Sequence, residues 1–387
     1  MPHYLDFAAT SALRPLPVIE AVRDYLASNG ATPGRGSYGV AVEAGRRVFE
    51  ARRAVLELLG LPGDASRLTF SPNATTSINH VLNRVLGPGD AVVVTDFDHN
   101  SVLRPAAWLE RNAEVQVRHV HGHADGTLDF AALRNALPGA RLLTINAVSN
   151  VLGTVLPVAE LVEEAHAEEV LVLVDSAQAA GHLEIDYGEA DFVAFTGHKG
   201  LLGPQGTGGL WVRPEIDIEP LIAGGTGGDS LNREMPRAFP DRLEAGTLNG
   251  PGLAGLAAGA KWVLERGVAP LHAETRRLKE ILHEGLSRIP GLTVLSPLAP
   301  EGAPIVTVAS AEIDAATLAG QLDRHHDVQV RAGLHCAPEV HRLLGTTATG
   351  ALRFSLGWAS TDEDVEVALR ATREVLQSSA LPLRSGA

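Results

Sequence analysis

The 387 residues of this chain, 45% of them hydrophobic, suffice for a sizeable core and predict a globular protein of about two domains. Its 32 Lys and Arg against 46 Asp and Glu give a net charge of −14, and no apolar stretch is long enough to cross a bilayer, so we expect neither a nucleic acid nor a membrane as a partner. The one cysteine cannot form an internal disulfide and residues 1–6 do not resemble a signal peptide, which predicts a cytoplasmic location.

The N-terminal part of the chain predicts a loop followed by two helices. Small residues at 4–10 lead into a Pro-rich turn, which is typical of a loop. Helices are predicted over residues 16–28 and 41–59, on either side of the Gly-rich loop 30–39. Gly60 marks the end of the second helix.

Seven apolar runs of strand length follow, and helical patterns separate most of them. The predicted strands are 67–71, 91–95, 115–120, 141–148, 170–174, 192–195 and 209–212. The predicted helices between them are 75–86, 100–111, 129–136 and 158–167. Wholly apolar runs are typical of strands buried on both faces, so the alternation predicts an α/β fold with a doubly wound, mostly parallel, seven-stranded sheet. The last run follows Gly206 closely, which favours an antiparallel strand there.

Two further helices, 251–266 and 269–288, lead into a smaller α+β module. Its predicted strands are 305–309, 328–330 and 352–355, and its predicted helices are 314–325, 337–344 and 361–377. We therefore expect a large domain, 16–265, and a small domain formed by residues 1–15 and 266–387. A ligand of such a sheet binds at the carboxyl ends of its strands.

Two stretches that follow predicted strands suit an anion and a flat ring. Residues 71–76 open a helix with small and hydroxylated side chains, whose free backbone N–H groups and hydroxyls suit a phosphate. His99 follows the next strand and can stack on a heteroaromatic ring and move protons. For each stretch alone the ordinary alternative is stronger, namely a helix cap for the first and an unremarkable member of 15 histidines for the second.

Asn150 and Asp175 follow two later strands of the same sheet. Asn150 offers both a donor and an acceptor, and Asp175 ends an all-apolar strand, where a carboxylate is unfavourable unless it is paired. A protonated pyridine nitrogen would pair with Asp175 and keep its ring electron-poor. Turn formation by Asn150 and a helix cap at Asp175 are the alternatives.

Lys199 stands close to two glycines, just beyond the buried run 192–195. A free lysine is hydrated and protonated at neutral pH, so it becomes a nucleophile only when it is desolvated or bound to a carbonyl. Taken alone, Lys199 is better explained as a solvated loop residue. Together with the four stretches above, it favours a Schiff-base lysine that holds pyridoxal phosphate.

Nearly the whole chain resembles the class V aminotransferase-like pyridoxal phosphate enzymes, and among them the cysteine desulfurases and selenocysteine lyases. Segments 4–10, 150–153, 196–199 and 242–247 carry much of this resemblance, which implies a fold of type I. The resemblance implies cofactor contacts for Ala74, Thr75, Thr76, His99, Asn150, Asp175, Gln178, Thr196, His198, Lys199 and Thr247. In the family the segment of Thr247 reaches the phosphate of the neighbouring subunit, which implies a homodimer with shared sites.

The C-terminal part resembles the cysteine desulfurase branch. Residues 331–338 are similar to the loop that carries a persulfide-forming cysteine, here Cys336, and Arg353 matches the arginine that binds the substrate carboxylate. The resemblance implies substrate contacts for Ala9, Asn150, Arg331 and Arg353. It implies catalytic roles for Lys199, Cys336 and His99, and no metal is expected.

The loop around Cys336 carries two further expectations. His335 or Arg331 would help the reaction by lowering the pKa of the Cys336 thiol. The short spacing from Cys336 to Arg353 resembles family members with a compact, rigid loop, and these often need a sulfur-accepting partner protein.

The implied function is a pyridoxal phosphate-dependent cysteine desulfurase, which converts L-cysteine to L-alanine and carries the sulfur as a persulfide on Cys336. A selenocysteine lyase, and an aminotransferase or epimerase on the same scaffold, are the alternatives. A nicotinamide-dependent oxidoreductase is disfavoured because the first βα turn lacks Gly-x-Gly-x-x-Gly. A non-catalytic sulfur-relay subunit is disfavoured because the residues for catalysis are intact. The sulfur acceptor stays open, as does the destination among iron–sulfur cluster assembly, thio-modified nucleosides and a cofactor.

Overall fold

The computed structural model describes residues 2–34, 36–228, 231–299 and 301–379. Within these ranges the strands are β1 (His3–Tyr4), β2 (Leu68–Ser71), β3 (Ala91–Thr95), β4 (Gln116–Val120), β5 (Leu142–Asn146), β6 (Leu171–Asp175), β7 (Phe192–Thr196), β8 (Gly208–Val212), β9 (Leu292–Val294), β10 (Ile305–Ser310), β11 (Val328–Gln329), β12 (Arg331–Gly333) and β13 (Ala351–Ser355). The α-helices are α1 (Leu16–Asp24), α2 (Gly39–Leu59), α3 (Ala74–Val85), α4 (Asn100–Ala113), α5 (Phe130–Ala136), α6 (Val158–Ala167), α7 (Gly250–Arg266), α8 (Val268–Ser287), α9 (Ala315–His326), α10 (Pro338–Leu343) and α11 (Asp362–Ser379).

The larger sheet has the predicted, mostly parallel arrangement. Its strands run in the order β2-β8-β7-β6-β5-β3-β4. β8 pairs antiparallel with both β2 and β7, and the pairs from β7 across to β4 are parallel. The described residues between β7 and β8 contain no helix, and a parallel return needs a long crossover over one face of the sheet. The α/β fold is therefore confirmed, and the favoured antiparallel last strand is found.

Alternate residues of the strands pack into two cores on opposite faces of this sheet. Val93, Val172 and Val193 join a core that includes residues of α2, α6 and α7. Val92 and Leu173 join another core, with residues of α3 and α4. All five side chains are at most 1% exposed. Burial on both faces is what the wholly apolar runs predicted, and each such side chain contributes about 1.5–3 kcal/mol.

The strand register brings polar residues together at one edge of the sheet. Asn146 at the end of β5 lies beside Asp175 at the end of β6, and Asp175 lies beside Ala194 of β7. Lys199 follows the end of β7 after a turn of two residues. Parallel strands thus place the predicted site residues where their carboxyl ends meet.

The smaller sheet is antiparallel, with the strand order β12-β13-β10-β9, and β1 pairs with β11 separately. A separate core joins Leu5 to apolar residues between Leu278 and Leu376. The division into 16–265 against 1–15 with 266–387 stays a prediction, which this grouping of core residues favours. Residues 380–387 of the predicted small domain lie outside the described residues.

Three short strands and one turn differ from the sequence-based expectation. β1, β9 and β12 were not predicted as strands, because two or three residues are too few to show a period of two. The helix predicted at 16–28 is α1 followed by a π-helical turn, Tyr25–Asn29. Arg35, in the predicted Gly-rich loop, lies outside the described residues.

Candidate active site

One cleft at the carboxyl edge of the large sheet contains most of the predicted site residues. Those that line it are Ala9, Ala74, Thr75, His99, Asn150, Asp175, Gln178, Thr196, His198, Lys199, Arg331, Cys336 and Arg353. They come from the N-terminal loop, the ends of several sheet strands and the loop and strand of the smaller part. Thr76 and Thr247 do not line this cleft but a second cavity.

Lys199 is held by the turn that follows β7. Its carbonyl accepts hydrogen bonds from the Ser11 hydroxyl at 2.9 Å and from the Leu202 N–H at 2.9 Å. Gly200 is required next to it, because a Cβ atom there would lie 2.4 Å from the carbonyl oxygen of Ala180. Burial lowers the pKa of the Lys199 amine to about 8, although the Asp175 carboxylate opposes the shift. A measurable fraction of the amine is therefore neutral at physiological pH.

Asp175 is a buried carboxylate, 4% exposed, at the end of β6. Burial raises its pKa, whereas the Ala177 N–H, donating at 2.9 Å, the charge of Lys199 and the Ser101 hydroxyl lower it. Such a carboxylate favours a cationic partner, because an opposite charge offsets the loss of water around it.

His99 is neutral, and its tautomer follows from its hydrogen bonds. Its Nδ1 accepts the Ser101 N–H at 3.0 Å, so the proton of the neutral ring is assigned to Nε2. Burial lowers the pKa of His99 to about 4, and the charge of Lys199 adds to this shift. Ser101, which also contacts Asp175, was missed by the sequence reasoning, because a serine in the first turn of a helix looks like an ordinary cap.

At the start of α3, where the sequence predicts phosphate binding, Thr76 lies differently from Ala74 and Thr75. Asn73 caps this helix and accepts both the N–H of Thr76 at 2.9 Å and its hydroxyl at 3.1 Å. Asn73 thus takes both donors of Thr76, and the cofactor contact of Thr76 stays a prediction. Ala74 and Thr75 do line the cleft, where the first turn of α3 offers an N-terminal end to an anion.

Four buried polar atoms of cleft residues have no hydrogen-bond partner among the described residues. They are Asn150 Oδ1, Thr196 Oγ1, His198 Nδ1 and Arg353 Nε. Buried polar groups without a partner are rare in native proteins and indicate a missing ligand or water. Thr196 Oγ1 and Arg353 Nε can donate to oxygen atoms of a ligand, whereas Asn150 Oδ1 only accepts and needs a donor.

Arg353 lies in β13, is 3% exposed and faces the cleft. One Nη donates to the Asn150 carbonyl at 2.9 Å and the other to Asp6 Oδ1 at 3.1 Å. The guanidinium is therefore fixed in the cleft wall with its Nε free of any described partner. Gln178 also fixes the N-terminal loop, because its Nε2 donates to the Ala8 carbonyl at 3.0 Å.

Cys336 is exposed and lies between β12 and α10. Its φ is +58° and that of His335 is +50°, so two successive non-glycine residues adopt the left-handed region. The His335 carbonyl accepts the Asn150 side-chain amide at 2.6 Å, and the Cys336 carbonyl accepts the Asn100 N–H at 2.7 Å. Residues of the large sheet region thus hold this loop at both carbonyls.

That His335 lowers the pKa of the Cys336 thiol stays a prediction, and its surroundings do not favour a positive charge on the His335 ring. His335 is 6% exposed, and its ring faces His341 and the Arg331 carbonyl. Burial lowers the pKa of His335 to about 3, and the nearby Arg353 charge adds to this shift. The ring therefore carries no charge at neutral pH. Arg331, which is exposed and lines the same cleft, stays a candidate for that role.

Thr247 belongs to a segment that Glu244 anchors to α2 and β2. Within this segment Glu244 is 7% exposed, accepts the Phe70 N–H, and pairs through both carboxylate oxygens with Arg52, which is 4% exposed. Thr247 and Thr76 line the second cavity rather than the cleft that contains Lys199.

Comparisons with known proteins agree with this geometry. A family model described as Aminotransferase class-V matches residues 3–367. A "Probable cysteine desulfurase" of Methanothermobacter thermautotrophicus is 34% identical, with 94% of this chain and 92% of that protein covered. Another from Pyrococcus abyssi is 33% identical, with 97% of this chain and 94% of that protein covered.

Solved structures give the same result. The apo structure of a cysteine desulfurase from Thermococcus onnurineus NA1 superposes with a TM-score of 0.91 at 32% identity, over 97% of this chain and 94% of that one. The cysteine desulfurase CsdA of Escherichia coli, in an S-sulfonic acid form, superposes with a TM-score of 0.88 at 28% identity, over 97% and 95% of the two chains. Among the described residues, no helix has the length and apolar character needed to cross a membrane.

Proposed function

The chain belongs to the class-V aminotransferase family, on its cysteine desulfurase branch, and from this premise we propose that it takes sulfur from L-cysteine, releases L-alanine and carries the sulfur on Cys336. One observation carries the assignment of roles, namely that Lys199, Arg353 and Cys336 line a single cleft. An amine that can hold a cofactor aldehyde, a guanidinium that can bind a carboxylate and an exposed thiol are the three groups that this reaction needs.

The residues of the cleft fit pyridoxal phosphate. Asp175 would pair with the nitrogen of the cofactor's pyridine ring, and the neutral imidazole of His99 would stack on the face of that pyridine ring. The unpartnered Thr196 and His198 side chains, with the first turn of α3, would bind the phosphate. When bound, this cofactor supplies an electron-withdrawing ring that takes up the negative charge left when the substrate loses its Cα proton.

Lys199 has two tasks in this proposal. It would hold the cofactor through Nζ, and as a free neutral amine it would remove the Cα proton of the substrate. The lowered pKa, about 8, suits a base that works near neutral pH. The Ala177 N–H, which donates to Asp175 at 2.9 Å, and the charge of Lys199 favour the ionised carboxylate, which in this proposal would keep a proton on the ring nitrogen.

Cys336 then takes the sulfur. Its Sγ, as a thiolate, attacks the sulfur of the bound substrate, so that an S–S bond forms while the substrate C–S bond breaks. The electron pair of the broken bond stays with the substrate carbon, which is protonated to the methyl group of alanine. One cysteine and one thiol give one alanine and one persulfide, and Arg353 holds the carboxylate throughout.

A second copy of the chain completes the site in this proposal. The exposed apolar side chains of α1 and α2 include Leu16, Ile19, Val42 and Phe49, which are 50–63% exposed. Burying them against another copy would bring the partner's Thr247 segment towards the phosphate. A cytoplasmic location and a sulfur-accepting protein partner belong to the same proposal.

Replacing Cys336 tests the assignment. Cys336→Ala is expected to keep the visible absorbance of the bound cofactor but to lose alanine formation from L-cysteine. Undiminished alanine formation would remove Cys336 from the mechanism, and a protein that never takes up the cofactor would remove the whole site. Selenocysteine is the matched substrate: if Cys336→Ala keeps full activity on it while losing activity on cysteine, the lyase alternative is favoured.

A further inference from the structure

We infer that His341 and Thr346 are positioning residues for Cys336, because they form with His335 a buried chain of hydrogen bonds that fixes the loop presenting the thiol. This inference rests on the proposed function in so far as Cys336 carries the sulfur. The hold on the loop itself can be measured without catalysis.

The loop needs these side-chain contacts because two of its residues have an unfavourable backbone conformation. His335 and Cys336 both have positive φ, at +50° and +58°, and side chains with a Cβ atom are disfavoured there. Such conformations persist only where the surrounding structure fixes them, and they cluster at functional sites. The two carbonyl contacts, from Asn150 and Asn100, fix the peptide planes but not the side chain of His335.

The chain of side chains supplies the remaining contacts. Nδ1 of His335 lies 3.2 Å from Nε2 of His341, and Nδ1 of His341 lies 2.8 Å from Oγ1 of Thr346. The two rings also stack, with centroids 5.3 Å apart. His341 is fully buried and Thr346 is 6% exposed. Three polar side chains thus satisfy one another out of contact with water.

The direction of these hydrogen bonds follows from the contact between His335 and the Arg331 carbonyl. Nε2 of His335 lies 3.4 Å from the Arg331 carbonyl, which only accepts, so the proton of the neutral His335 ring is on Nε2. His335 Nδ1 must then accept, and His341 Nε2 donates to it. His341 Nδ1 in turn accepts from the Thr346 hydroxyl. Every member donates once in the same direction, and both rings are neutral because burial lowers their pKa.

This arrangement connects the residue before the reactive thiol to the turn after α10. Thr346 is fixed there because its N–H donates to the His341 carbonyl at 2.8 Å. Without the Thr346 hydroxyl, His341 Nδ1 would be buried and unpaired. The His341 ring could then turn to find another partner, and the His335 side chain would move with it. The backbone of Cys336 would then leave the left-handed region, and Sγ would no longer face the cleft. Binding of substrate at Arg353 and Lys199 would be unaffected, because neither contacts His341 or Thr346.

The test uses the fact that the chain contains one cysteine. Thr346→Val removes the hydroxyl and keeps the shape, Thr346→Ser keeps the hydroxyl, and His341→Phe is a second variant that keeps a flat ring. Thr349→Val serves as the matched control, because it removes an exposed hydroxyl from the same turn that takes no part in the hydrogen bonds of His335, His341 and Thr346. Each is purified with its cofactor, and a nitroxide label on Cys336 reports the mobility of the loop by electron paramagnetic resonance.

We expect Thr346→Val and His341→Phe to sharpen the nitroxide lines and to lower kcat for alanine formation on the order of tenfold to a hundredfold, with KM for cysteine within about twofold. Thr346→Ser and Thr349→Val should behave as the unsubstituted protein does. Unchanged label mobility and kcat in both Thr346→Val and His341→Phe would overturn the inference, as would a rise in KM that matches the fall in kcat. If the unsubstituted protein makes no alanine while the label still responds, the proposed function fails and the positioning role stands.

Discussion

Lys199 and Asp175 line the same cleft, and burial shifts their pKa values in opposite directions. Burial disfavours charge, so it lowers the pKa of the amine and raises that of the carboxyl group, while the attraction between the two opposes both shifts. A cation bound at Asp175 and a carbonyl bound at Lys199 would each relieve this unfavourable burial. The pair therefore favours a ligand that brings both groups.

The first prediction concerns the uptake of pyridoxal phosphate by protein stripped of it. Only the neutral amine attacks an aldehyde, and below the pKa its population rises about tenfold per pH unit. With a pKa of about 8 for Lys199, we expect the uptake rate to rise with pH and level off just above pH 8. Stopped-flow absorbance measures this rate. A rise that continues to about pH 10, as for an ordinary lysine, would contradict the lowered pKa.

The second prediction concerns Ser101. Its hydroxyl stabilises the ionised form of Asp175, so Ser101→Ala is expected to raise the pKa of Asp175 further. Less ionised Asp175 holds the ring nitrogen less well, and we expect kcat to fall roughly tenfold, more at low pH than at high pH. The pH profile of alanine formation measures this effect, and Asp175→Asn, which cannot ionise, sets its limit. Equal loss at every pH would refute the role given to the hydroxyl.

The site residues divide into those that the sequence could predict and those that it could not. Lys199 and Asp175 could be predicted because their residue types are unusual at the ends of apolar strands. The side chain of Thr76 could not be placed, since Asn73, three residues earlier, takes both of its donors. The charge of His335 depends on burial and on Arg353, which the order of residues along the chain does not reveal.

At the scale of elements, one buried ion pair joins α2 and β2 to the segment of Thr247. Arg52 and Glu244 form a bidentate pair, and the Arg52 guanidinium also lies 4.7 Å from the centre of the Phe70 ring. An unpaired carboxylate in such a place is strongly unfavourable, whereas an apolar replacement of both partners is often neutral.

Removing one partner of this pair should therefore lower the free energy of unfolding more than removing both. We expect Arg52→Met to lower the free energy of unfolding by about 3–5 kcal/mol, and the double variant Arg52→Met with Glu244→Leu to recover most of that loss. Urea unfolding of the cofactor-free protein measures both values. If the double variant is at least as unstable as the single one, the desolvated charge is not the cause.

The elements themselves were predicted in proportion to their length and burial. The strands from β3 to β7 are five residues each, and the wholly buried ones were recognisable as apolar runs. β12 has three residues and carries Arg331, so no pattern marks it as a strand. It is formed by pairing with β13, a tertiary contact that local sequence does not encode.

At the scale of the whole molecule, the apolar surface of α1 and α2 predicts self-association. Phe49 and Ile19 are 50% and 54% exposed, and burying such side chains is the main drive for stable dimers. We expect Phe49→Asp with Ile19→Asp to give a monomer in sedimentation and to weaken cofactor binding at least about tenfold, because the partner's segment is lost.

The matched control for that experiment is Ile281→Asp. Ile281 is 41% exposed on α8, away from α1 and α2, so this variant should keep the association state and the cofactor affinity of the unsubstituted protein. A protein that sediments as a monomer before any substitution would contradict the shared site.

The pairing of β1 with β11 gives the chain an order of assembly. His3 pairs with Val328, and Leu5 packs in a core whose other members lie beyond residue 277. At roughly 5–20 residues per second, the ribosome needs on the order of 15–60 s between making the first strand and its partner. All seven strands of the large sheet have emerged by then, whereas the N-terminal strand still lacks its partner. β1 is thus made long before the strand that it pairs with, and the loop with Ala9 takes its place in the cleft only after β11 has been made.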